Sequence, residues 1–175
     1  MIWSQLPQFF VSGITSGSIY ALIALGFGII HNATGIVNFA QGEFVMLGAM
    51  TMISLTQGAG LPVLVAFPLA VLAVMVVGWL MEVGPIRRAR TNSILILVMI
   101  TVGASITMRE IGMHIWGKTP RTLPAFSGEE PLVFGHAAIL PQTLWILGIT
   151  LLVVVLLGFF FSRTMVGKAM RAVAE

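Results

Sequence analysis

Apolar residues fill long uninterrupted stretches of the chain, and the few ionised groups fall between them. Residues 1–42, 44–81, 91–108 and 131–162 are free of Asp, Glu, Lys and Arg. A helix needs about 20 apolar residues to cross the hydrocarbon core of a bilayer. The pattern therefore predicts five membrane helices, at about residues 9–30, 36–56, 63–83, 91–110 and 142–162. Gly58 to Pro62 reads as a turn, and Gly84-Pro85 as the stop of the third span. Between Trp116 and Leu140, Pro120, Pro124 and Pro131 accompany four charges that cancel, which predicts an external loop.

Composition excludes a water-soluble fold. Of the 175 residues, 58% are hydrophobic and 9% charged, against about 25% charged in ordinary soluble domains. Five crossings would consume about 100 residues and leave only short connections, so a single all-α membrane bundle is expected over residues 1–175. The net charge of +3 does not point to nucleic acid, because the basic residues cluster beside apolar runs, where they set orientation. Arg87, Arg88 and Arg90 place the connection between spans three and four in the cytoplasm, and Arg163, Lys168 and Arg171 place the tail there too. Two crossings separate these clusters, so they agree, and counting backward puts the N-terminus outside if both of the first runs span; the alternative is that the Asn38 to Glu43 stretch is broken or re-entrant. The first basic residue is Arg87, so the N-terminus lacks the n-region of a secretory signal. There is no cysteine, hence no disulfide or thiol chemistry. No internal repeat and no low-complexity linker is evident.

Catalytic and cofactor patterns are absent or accidental. Gly112, Gly117, Lys118 and Thr119 satisfy the spacing of a phosphate-binding loop. A membrane span precedes them where a buried strand is required, Pro120 pushes Thr119 toward extended geometry, and the chain has no Asp to hold magnesium. His31, His114 and His136 are scattered, without a carboxylate pair, so neither a metal nor a cofactor is expected. Asn32-Ala33-Thr34 fits a glycosylation sequon in a very short connection at the membrane surface, where modification is not expected.

The informative charge is Glu43, inside the second run, because an ionised side chain at the centre of a membrane helix costs about 2.5–3.5 kcal/mol on insertion scales. It must face protein or water. Asn38 and Gln41 share a helical face, with Glu43 about 160° further round an ideal helix, so a break at Gly42 would let all three converge on a cavity. Two readings stand side by side: these groups line a solute path, or they make interhelical hydrogen bonds that fix packing. Gly13 and Gly17, with Tyr20, Ala24 and Gly28, form a small and polar face on the first span that should meet protein, the two glycines serving helix packing. Arg109 and Glu110 directly follow the fourth uncharged run and read as interfacial residues that snorkel.

The segment from Gly13 to Met50 resembles the first membrane segments of the branched-chain amino acid permeases of bacterial ABC transporters. The resemblance rests on Tyr20-Ala21-Leu22, Asn38-Phe39-Ala40-Gln41-Gly42-Glu43 and Met46-Leu47-Gly48-Ala49, with later blocks at Thr101-Val102-Gly103, Trp116 to Arg121 and Thr164 to Ala172. It implies a multi-pass permease subunit of the bacterial inner membrane that imports branched-chain or related apolar amino acids, with Tyr20, Asn38, Gln41, Gly42 and Glu43 shaping the pathway. It further implies partners: ATP-binding subunits that carry out hydrolysis, a homologous second permease and an extracytoplasmic solute-binding protein. The polypeptide itself would not be an enzyme. Family members continue past the equivalent of Glu175 into a cytoplasmic coupling helix, so the chain is expected to be the N-terminal part of a permease. Related permeases for urea and short amides share the pattern. A self-sufficient channel or secondary transporter using Glu43, and a nonfunctional fragment whose polar residues only pack helices, are the readings from other classes.

The topology is directly testable in this cysteine-free chain: single cysteines at Thr91 and Ser127 should react with impermeant reagents from opposite sides of the membrane. Labelling of both from one side would overturn the scheme.

Overall fold

A computed structural model describes residues 2–89, 93–125, 127, 128, 130–134, 137–165 and 167. Arg90, Thr91, His136, Val166, Lys168, Arg171 and the rest of the tail block beyond Gly167 lie outside the described residues. The helices are α1 (Ile2–Thr34), α2 (Gln41–Ile53), α3 (Val63–Met81), α4 (Ile94–Trp116) and α5 (Pro141–Arg163), with two short strands, β1 (Leu132–Phe134) and β2 (Ala137–Ile139), before α5. The chain is all-α apart from that hairpin. Among the described residues, four segments are long and apolar enough to cross a membrane: Gln5–Asn32, Val63–Ile86, Ile94–Trp116 and Pro141–Arg163. The chain divides into two compact units, Met1–Gly35 with Pro124–Glu175, and Ile36–Leu123.

In the first unit α1 packs against α5 and β2. Uncharged polar residues at its start do not stop α1, which begins before the predicted span and contains Pro7 in its second turn. The α1 side chain of Gln8 accepts the backbone N–H of Ala138 at 2.8 Å. The strands pair antiparallel, Leu132 with Ile139 and Phe134 with Ala137, within the expected external loop. Pro141 opens α5 at its first turn, where its missing N–H costs nothing.

The second unit is an α2–α3–α4 succession with a small core of Ala40, Met81 and Met108, against which Phe44, Leu47, Val77, Ile86 and Ala104 pack. Most large apolar side chains of α3 are exposed in the chain alone, as a helix apolar all round requires lipid or further helices to cover it. The unit departs from the sequence expectation in three places. The second run is not helical from Ile36: α2 begins at Gln41 and continues after Ile53 only as a π-turn, Ser54–Gly58. There the hydroxyls of Ser54 and Thr56 take the carbonyls of Met50 and Met52, a back-bonding that bends helices. Gly84-Pro85 does not stop the third helix, which widens into a second π-turn, Glu82–Ile86. Pro85 lacks an N–H and crowds the carbonyl four residues back, and the wider turn absorbs both effects. The fourth helix does not end near Glu110 but runs to Trp116, where Gly117 at φ 79° closes it with a hydrogen bond to the Met113 carbonyl.

Helices α2 and α4 are held in parallel register. Phe39 N–H meets Thr101 Oγ1, Ser105 Oγ meets Glu43 Oε1, and Trp116 Nε1 meets Ser54 Oγ, each pair 62 residues apart in sequence. A constant offset is the signature of two helices running the same way. Gln41, the first residue of α2, is thereby level with Gly103, about 14 Å along α4 from Ile94 at 1.5 Å per residue. The non-helical residues 36–40 thus lie deep beside a membrane-crossing helix. Backbone of that kind survives in a bilayer only where protein or a wet cavity satisfies it. Thr101, 1% exposed, supplies this: its hydroxyl accepts from Phe39 N–H at 3.3 Å, and its proton faces Val98 O at 2.8 Å and Val37 O at 3.4 Å. Asn38 Oδ1 accepts the Ala40 N–H at 3.0 Å, turning the chain into α2.

Thr101→Val keeps the shape and leaves the Phe39 N–H without its acceptor, a loss of about 1–3 kcal/mol. Thermal unfolding in detergent should show a lower midpoint for Val and near-parent behaviour for Thr101→Ser. An unchanged midpoint for Val would contradict this role.

Candidate functional site

The parallel seam of α2 and α4 carries an ion pair. Glu43, in the first turn of α2, is 7% exposed. Its Oε1 accepts from Ser105 Oγ at 2.8 Å, Arg109 Nε at 3.1 Å and Arg109 Nη2 at 2.5 Å. Thr101, Ser105 and Arg109 recur at intervals of four residues along α4, which stacks them on one face and presents them in turn to the entry segment and first turn of α2. The helices approach closely here. A Cβ on Gly112 would lie 3.0 Å from Met46 Cε, so the glycine makes room for α2 one turn beyond the ion pair.

Electrostatics explain the arrangement. A lone carboxylate at this burial is expensive, and three donors on one oxygen together with a formal positive charge offset that cost. Both acidic and basic members fall within apolar segments, so the pair brings no net charge into the membrane. The partners differ in exposure. The Glu43 side chain is 10% exposed and that of Arg109 59%.

The structure distributes the sequence-derived residues unevenly. Glu43 is bound to α4 as described. Asn38 is engaged with its own backbone at Ala40. Gln41 carries a buried Oε1 that has no hydrogen-bond partner among the described residues. Gly42 lies inside α2, so the expected break falls earlier, at residues 36–40, and the side chains of Asn38, Gln41 and Glu43 do not converge in one hydrogen-bonded cluster. Tyr20, 71% exposed, belongs to α1 in the first unit. Gly13 and Gly17 lie on the same helix, and a Cβ at either would meet nothing within 4 Å, while Ala24 and Gly28 line a cavity of about 650 Å³ with Phe161 of α5. The phosphate-loop spacing sits in reverse orientation to a real one: Gly112 is helical and Gly117 ends a helix instead of opening one. No group of three or more His, Asp or Glu residues suited to a metal occurs among the described residues.

Sequence reasoning missed Ser105 and the pairing of Arg109, which stands seven residues before the end of α4 and binds Glu43. The available signal was the i, i+4 recurrence of Thr101, Ser105 and Arg109 on an otherwise apolar helix.

These features define a multi-pass helical membrane protein with a charge pair between two of its helices. Residues 9–175 match the family model described as branched-chain amino acid transport system / permease component, and the chain belongs to that family. It is 30% identical to the high-affinity branched-chain amino acid transport system permease protein BraD of Pseudomonas aeruginosa, over 99% of this chain and 60% of the relative. It is 31% identical to LivH of Escherichia coli K12 and 29% identical to LivH of Salmonella typhimurium, both named as permease proteins of the same kind of system, each over 97% of this chain and 59% of the relative. The chain thus spans about three fifths of the length of these curated relatives. No solved structure matches it.

Replacing Glu43 separates shape from charge. Glu43→Gln keeps a hydrogen-bonding group opposite Ser105 and should retain most of the folded membrane yield, whereas Glu43→Leu strands the Ser105 and Arg109 donors and should lower it. Arg109→Leu should destabilise by about 1–3 kcal/mol, less than a fully buried pair because Arg109 is largely exposed. Combining Glu43→Leu with Arg109→Leu should recover part of that loss. Parental yield for all three single variants, measured by size-exclusion of detergent extracts, would remove the ion pair from the folding account.

Proposed function

We propose that the chain forms the pathway-building part of an importer for branched-chain or related apolar amino acids in a bacterial inner membrane. The observation that carries this reading is the family match over residues 9–175. The interrupted second run supports it, because transporters place discontinuous helices where substrates bind and let irregular backbone line the route. In this reading Asn38, Gln41, Gly42 and Glu43 border the pathway from the α2 entry, and Tyr20 contributes from α1. Gly13 and Gly17 offer a small-residue face on which another helix can seat closely. ATP hydrolysis belongs to separate ATP-binding subunits, and a homologous permease and an extracytoplasmic solute-binding protein complete the assembly.

The test is uptake of labelled leucine in cells deficient in branched-chain amino acid import, with the chain expressed alone or together with its ATP-binding, second-permease and binding-protein partners. Uptake should appear only with the partners and vanish when the ATPase is inactivated. Uptake by the chain alone would favour a self-sufficient channel or secondary transporter, and partner-dependent uptake of urea or acetamide without leucine would shift the substrate to small amides.

A further inference from the structure

The ion pair between Glu43 and Arg109 is lopsided. All three donors, from Ser105 Oγ and Arg109 Nε and Nη2, converge on Oε1, and Oε2 of Glu43 receives no donor among the described residues. Arg109 spends Nε and Nη2 on one oxygen, and its Nη1 edge has no acceptor among the described residues. The Arg109 side chain as a whole is 59% exposed. A neutral pair thus keeps one unused acceptor and one unused set of donors, near the interrupted entry of α2 and a Gln41 Oε1 that has no partner among the described residues.

We infer that Glu43 and Arg109 together form a binding site for the zwitterionic headgroup of an amino acid, the ammonium on Glu43 Oε2 and the carboxylate on the Nη1 edge of Arg109. This rests on the reading of the chain as part of an amino acid importer and adds to it the residues that recognise the headgroup. Net charge is the physical reason. A free amino acid carries one positive and one negative group, so docking it on a neutral pair leaves the site neutral, whereas a lone Glu or a lone Arg would be left with an unmatched charge in an apolar setting. Guanidinium and carboxylate also match in planar geometry, which a lysine at residue 109 would not reproduce. The site therefore selects against molecules that keep the apolar side chain and lose either charge.

The purified chain in lipid nanodiscs can be photolabelled with a leucine analogue bearing a diazirine in its side chain. Labelling should map to α2 and α4. Excess leucine should reduce it at least tenfold, while leucinamide, which lacks the carboxylate, and 4-methylpentanoate, which lacks the ammonium, should reduce it less than twofold. The double substitution Glu43→Gln with Arg109→Gln preserves neutrality and hydrogen bonding, and should abolish the leucine-sensitive labelling at unchanged membrane abundance. Equal competition by all three compounds, labelling insensitive to leucine, or parental labelling in the double variant would each overturn the inference. If the double variant accumulates poorly, the competition pattern on the parent decides. Partner-dependent leucine uptake with any of those overturning results would leave the transport reading intact and remove only the headgroup site. Absence of that uptake, with the expected competition pattern, would do the reverse.

Discussion

The second unit depends on one constraint: polar groups placed deep among apolar helices must find partners inside the protein. The entry to α2 leaves five residues of backbone without helical hydrogen bonding, and Glu43 adds a carboxylate one turn later. Helix α4 answers both from a single face. Thr101 closes the irregular backbone, Ser105 and Arg109 close the carboxylate, and Trp116 extends the same register to Ser54. Because the Thr101, Ser105 and Trp116 contacts share one sequence offset of 62, the seam specifies one alignment of α2 and α4, and with it the length of the turn and antiparallel helix between them.

That alignment shortens α2 relative to its neighbours. A helix starting level with the middle of α4 opens space on its N-terminal side, and in a membrane such space must be filled by protein, water or solute. The π-turns at Ser54–Gly58 and Glu82–Ile86 then carry the chain out of α2 and α3 without breaking helical continuity. Polar residues at the seam fix packing, and a packing role for Glu43 does not exclude the proposed pathway role. A group that fixes helix register through one carboxylate oxygen still has a second.

Much of this was legible in the chain. Uncharged runs announced the membrane helices, since burying Lys or Glu in hydrocarbon is costly enough to exclude them almost everywhere. For the same reason the exception, Glu43, stood out. What failed was inference at the borders of those runs. Arg109 follows an uncharged stretch and was read as its end, although the helix carries on to Trp116 because its charge is matched by a residue 66 positions earlier, a distance that periodicity does not reach. Pro85 was read as a stop, because a proline in isolation breaks an α-turn, but a widened turn tolerates it. The break falls at residues 36–40, overlapping the Asn38 to Glu43 stretch that the sequence offers as broken or re-entrant, and the Asn38 side chain, not Gly42, turns the chain into α2. The resemblance of the Asn38 to Glu43 block to a permease family proved sound, since the family model covers nearly the whole chain.

The central claim is the parallel register of α2 and α4, and distance trapping reads it most directly. In the cysteine-free chain, a short thiol-specific cross-linker should join paired cysteines at residues 43 and 105, and at 54 and 116, in native membranes. The mismatched pairs 43 with 116, and 54 with 105, are offset by about 16 Å along the helices and should stay unjoined. Efficient joining of the mismatched pairs, or equal joining of all four, would contradict the seam on which the account rests.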